Sequence, residues 1–64
     1  MKYIVRELQN INSHREGKLI EAEALSDAKR QASRGQFFKG TVLVLEYEGR
    51  VVSVKQNDVW SDTD

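Results

Sequence analysis

Within a chain of 64 residues, the stretch from Gly40 to Tyr47, GTVLVLEY, most narrows the possible folds. Val42, Leu43, Val44 and Leu45 stand in succession there, the most apolar run in the chain. They fit a strand paired on both edges and covered at least partly on both faces. The spacing therefore predicts a central strand. Glu48 and Gly49 follow as a hairpin-type turn, and Arg50–Lys55 returns as a strand carrying Val51, Val52 and Val54. A short last strand is expected through Asp58, Val59 and Trp60 after a turn at Gln56 and Asn57, with Ser61–Asp64 fraying.

Upstream, KYIVRELQNI over residues 2 to 11 is rich in β-formers. Its imperfect alternation puts Ile4 and Leu8 on one face and Tyr3, Val5 and Ile11 on the other. The polar NSHREG segment reads as a hairpin loop closed by a glycine able to take positive φ. Lys18–Ala24 reads as a half-buried strand, with Ile20, Ala22 and Ala24 facing in and Glu21 and Glu23 facing water.

Ser26–Arg34 reads as one short helix: Ser26 is a suitable N-cap, Asp27 suits the positive end of the dipole, and Gly35 suits a left-handed stop. Ala28 and Ala32 share a face with Leu25, leaving Lys29, Arg30, Ser33 and Arg34 outward. The predicted fold is thus α+β, a single antiparallel sheet of four to five strands with one helix across one face, in the order β-β-α-β-β with a possible fifth strand, all in one domain spanning residues 1–64. One helix covers one face only. Some of Tyr3, Val5, Val42, Val44 and Val52 then fall on a half-exposed face, read as a thin core in preference to an interaction surface.

Charge is balanced overall, ten basic residues against ten acidic, but not locally. No acidic residue lies between Asp27 and Glu46, an interval that holds Lys29, Arg30, Arg34 and Lys39. A charged helix face is often only solvated. Arg30 and Arg34, however, stand one turn apart without i,i+4 carboxylates, which points to an anionic or acidic partner.

The sequence offers little to catalysis. His14, the single histidine, sits in a loop without partners for metal binding or acid–base work. Glu21 and Glu23 lie on a solvated strand face, and the glycines are too dispersed to cradle phosphate. The expectation is a protein that is not an enzyme and uses no metal or cofactor. With no cysteine, no signal peptide and no apolar run of membrane-spanning length, it is expected to be cytoplasmic, and monomeric when free.

ELQNINSHREGKLIEAEALSDAKRQAS, followed by FFKGTVLVLE, resembles a small family of anti-CRISPR proteins, encoded by phages and mobile elements, that act on the type I-F Cascade (Csy) surveillance complex. The similarity runs from the first strand to Trp60. It implies a sheet with one helix that binds the crRNA-carrying backbone subunits and occupies ground that target DNA needs for pairing with the guide. Carried over by position, the partner-binding surface falls on Lys29, Arg30, Arg34, Gln36 and Phe38, with Lys39 and Lys55 as secondary candidates. The chain departs from the family near its end. NDVWSDTD carries Asp58, Asp62 and Asp64 and no base beyond Lys55, which argues against recruitment of duplex DNA and leaves at most a weak non-specific contact. A small nucleic-acid-binding module using the same helix is the alternative; the balanced charge favours a protein target. A self-associating domain, resting on the valine-rich face and an exposed sheet edge, is the third possibility.

Overall fold

The computed structural model describes residues 1–10 and 15–63. Five strands and one helix follow the order β1 (Lys2–Leu8), β2 (Lys18–Glu21), α1 (Leu25–Arg34), β3 (Val42–Tyr47), β4 (Arg50–Gln56) and β5 (Val59–Asp62). They form one antiparallel sheet in the spatial order β2-β1-β3-β4-β5. The apolar run is the middle strand, as its composition demands, and Val42, Leu43, Val44 and Leu45 are all buried.

Alternation along β3 divides the core. Leu43 and Leu45 turn toward α1 and join Tyr3, Ala22, Ala28 and Ala32, with Val5, Ile20, Leu25, Tyr47, Val52 and Trp60 packed around them. Val42 and Val44 turn the other way and meet Leu8 and Val54. Of the residues expected to share a half-exposed face, then, Tyr3, Val5 and Val52 belong to the helix side. Val52 gets there through a β-bulge: Glu46 pairs with Val51 and Leu45 with Ser53, leaving Val52 as the extra residue.

Both downstream hairpins close with two residues at positive φ, Glu48–Gly49 (53° and 80°) and Asn57–Asp58 (53° and 64°). This is the turn geometry whose twist matches the flanking strands. The second turn is therefore one residue later than expected. It makes Asp58 a turn residue, and it brings Ser61 and Asp62, expected to fray, into β5 opposite Val54 and Ser53. Gly17 also departs from expectation. Its φ is not in the left-handed region, and its value lies in having no side chain: a Cβ there would collide with Cγ2 of Ile4. The loop histidine, His14, and Ile11 lie outside the described residues.

Strand β2 stops at Glu21, short of Ala24, because its partner runs out. Ala22 N–H donates to Met1 O at 2.9 Å, and the Met1 ammonium donates to Ala22 O at 2.8 Å. The helix starts earlier than Ser26. Ala24 takes the extended cap conformation without a side-chain acceptor, and Asp27, on the first turn, reaches back to Glu23 N–H at 3.3 Å. Nor is Gly35 left-handed, with φ −90° and ψ 5°; its N–H still donates to Gln31 O at 3.0 Å. The helix ends where the following loop is tied to the sheet.

Candidate functional site

That loop, residues 35–41, leaves the C-terminal end of α1 and crosses to the start of β3. Phe37 and Phe38 on it are 79% and 72% exposed, the two most exposed large hydrophobic side chains among the described residues. Hydrophobic burial cannot hold such a segment, so polar contacts do. Glu7 projects from the helix side of β1 and accepts the Phe37 N–H at 2.9 Å on Oε1. Its Oε2 accepts the Phe38 N–H at 3.0 Å and the Thr41 hydroxyl at 2.8 Å. Partial desolvation pushes the Glu7 carboxyl up, but the Phe37 N–H, the Thr41 hydroxyl and the Phe38 N–H together bring it below the ordinary glutamate range.

The residues predicted to meet a partner fall into two groups. Lys29 Nζ is half-buried and 2.7 Å from Asp62 Oδ1, and Arg30 Nη2 donates to Asp27 Oδ1 at 2.6 Å. The helix cations expected to be uncompensated are thus partly neutralised within the molecule. Arg30 finds its carboxylate at i,i+3, one position closer than the spacing considered from sequence. Gln36 is also engaged: Nε2 donates to Thr41 Oγ1 at 2.8 Å, and Oε1 accepts from Lys55 Nζ at 3.2 Å. Lys55 reaches Ser33 Oγ as well, at 3.1 Å, beside the Trp60 indole N–H at 3.2 Å. Both Gln36 and Lys55 therefore buttress the loop from behind.

Arg34, Phe38 and Lys39 remain exposed, and among the described residues Arg34 and Lys39 form no ion pair. Phe37 joins them. It is absent from the surface expected from the sequence, although two adjacent aromatics between Gly35 and Gly40 are a usable signal of a displayed loop. Beside the rings a groove of 420 Å³ opens toward β1 and β2, lined in part by Val5, Ile20, Ala32 and Leu43. Among the described residues no group of three metal-ligating side chains is assembled, and no helix is long and apolar enough to cross a membrane.

No family model and no curated protein matches the chain. Solved structures do, and they give the class: a small α+β anti-CRISPR protein of the type I-F group. Among four matching chains is AcrIF9, which superposes with a TM-score of 0.91 at 47% sequence identity over 100% of this chain and 87% of that one. The chain belongs to the AcrIF9 family, in agreement with the resemblance that runs from the first strand to Trp60.

Proposed function

We propose that the protein inhibits type I-F CRISPR immunity by binding the crRNA-carrying backbone subunits of the Cascade complex and so keeping target DNA from the guide. The observation that carries this reading is the pair of exposed phenyl rings on a polar-anchored loop, flanked by Arg34 and Lys39. Large aromatic anchors beside cations are the side chains that dominate protein–protein interfaces once water is excluded around them. The internal pairing of Lys29 and Arg30 shifts the expected source of affinity from the helix face to this loop. It also weakens the nucleic-acid-binding alternative, which needs those cations free for phosphate. The protein acts in this scheme as a stoichiometric competitor inside the host cell, with no chemical step and no cofactor.

Pull-down with purified type I-F complex tests the proposal. The protein is expected to be captured by the complex with an empty guide and to be excluded when target DNA is bound first. Phe38→Ala is expected to weaken capture while leaving the melting temperature unchanged. Equal capture before and after target loading would overturn competition with DNA.

A further inference from the structure

A carboxylate that is partly withdrawn from water is held ionised either by a cation or by hydrogen-bond donors. Glu7 forms no ion pair among the described residues, and its three acceptor contacts all go to the segment that carries Phe37 and Phe38. We propose that Glu7 is a positioning residue, whose carboxylate sets the pose in which the two phenyl rings are offered to a protein partner. This inference rests on the docking reading given under Proposed function.

The geometry argues for posing. Consecutive N–H groups, those of Phe37 and Phe38, point at the two oxygens of one carboxylate, at 2.9 and 3.0 Å. Two neighbouring peptide planes are thereby fixed relative to β1, and each ring direction is then limited to the rotamers of its own side chain. Bonds to an ionised acceptor are about twice as strong as neutral ones. The Thr41 hydroxyl carries the tie to the far end of the loop. Its single proton lies within reach of both Glu7 Oε2 (2.8 Å) and Phe38 O (2.9 Å), and the charged oxygen is the stronger acceptor. Thr41 in turn accepts from Gln36 at 2.8 Å, so residues near both ends of the loop are tied to the same carboxylate.

A loop held this way has already lost its backbone freedom before a partner arrives. Binding then forgoes the ordering cost that a free loop with two exposed aromatics would meet, which raises affinity without adding a contact. Glu7 itself need not touch the partner.

Residue-resolved amide exchange on the free protein, combined with binding to purified type I-F complex, tests the proposal. In the wild type the Phe37 and Phe38 amides are expected to be protected relative to that of Lys39. In Glu7→Gln, which keeps size but removes the charge and one acceptor, those two amides should exchange about tenfold faster or more, with Leu43–Leu45 unchanged. Affinity for the complex should fall about tenfold, and the same substitution should add nothing in a Phe37→Ala/Phe38→Ala background. Should Glu7→Gln not fold, Thr41→Val removes the hydroxyl between Glu7 and Gln36 and is expected to move both readouts in the same direction. Unprotected Phe37 and Phe38 amides in the wild type would overturn the proposal. So would unchanged affinity of a folded Glu7→Gln, or an equal loss with the rings already removed. If the wild type failed to bind the complex, the docking reading would fall and take the purpose assigned to Glu7 with it, while the exchange data would still report whether the carboxylate holds the loop.

Discussion

Lys29 on α1 and Asp62 on β5 meet at 2.7 Å, and the same Asp62 oxygen accepts the hydroxyl of fully buried Ser53 at 2.9 Å. This contact ties the helix to the last strand of the sheet, and it accounts for the order of a C-terminal segment whose composition suggests fraying. Asp62→Asn is expected to lower the melting temperature and to raise amide exchange in β5 ahead of β3. High salt should shrink the difference from wild type, since the pair is partly exposed. Thermal melts at low and high ionic strength check this.

The centre of the sheet is fully buried. Leu43 and Leu45 are 1% and 0% exposed. Truncating either to Ala should cost about 2 to 5 kcal/mol, comparable to the whole net stability of a domain this small. Denaturant titration is the measurement, and a wild-type midpoint for both variants would contradict the packing described above.

Acid should destabilise the protein through carboxylates that the fold has engaged. Asp27, hydrogen-bonded by Arg30, and Asp62, hydrogen-bonded by Lys29, are held below the ordinary aspartate range, and Glu7 is lowered by the loop. A depressed folded-state value means that the unfolded chain binds more protons in acid. Stability is then complete above the unfolded carboxylate range and falls as pH drops through the folded values. Melts between about pH 2 and pH 6 should show stability rising with pH to a plateau, with a shallower slope in Asp62→Asn.

Charge reversal should separate two arginines that look alike in the sequence. Arg34→Glu leaves every described intramolecular ion pair intact, so the protein should still fold, with a loss of about 1 kcal/mol or less from a carboxylate at the negative end of α1. If Arg34 is desolvated at the interface, binding to the type I-F complex should weaken by about 2 to 5 kcal/mol. Arg30→Glu instead places a second carboxylate beside Asp27 and is expected to lower the melting temperature of the free protein. Circular dichroism melts beside a binding titration distinguish them.

Duplex DNA should bind poorly at physiological salt. Lys29 and Arg30 are paired internally and Lys55 is hydrogen-bonded to Ser33 and Gln36, so few cations remain available to release counterions. Gel shifts on random duplex test this, and micromolar affinity with a steep salt dependence would favour the nucleic-acid-binding alternative.

The general site was legible from the chain, while its working parts were less so. SDAKRQAS followed by QFFKG marked the end of α1 and the loop beyond it as the surface of interest, and the helix end does display Arg34 and the loop Phe38 and Lys39. Asp27 and Arg30 stand one helical turn apart, so their pairing was readable at i,i+3. The roles of Glu7, Gln36, Lys29 and Lys55 were not, because their partners lie on other elements.

What the sequence by itself determined follows from local rules. Four consecutive apolar residues needed a doubly covered central strand, Glu48–Gly49 needed positive φ between strands, and Ala28 with Ala32 gave the helix a small-residue face to lay on the sheet. Each depends on periodicity or backbone sterics within a few residues. Apart from the local Asp27–Arg30 pair, only the tertiary structure decided which charges are free and which are engaged, and how the aromatic loop is held. Glu7 meets Phe37, Lys29 meets Asp62 and Lys55 meets Gln36 only after β1, α1, β4 and β5 have been brought together. A side chain's charge is a property of its residue, whereas its availability to a partner is a property of what the fold places within about 3 Å of it.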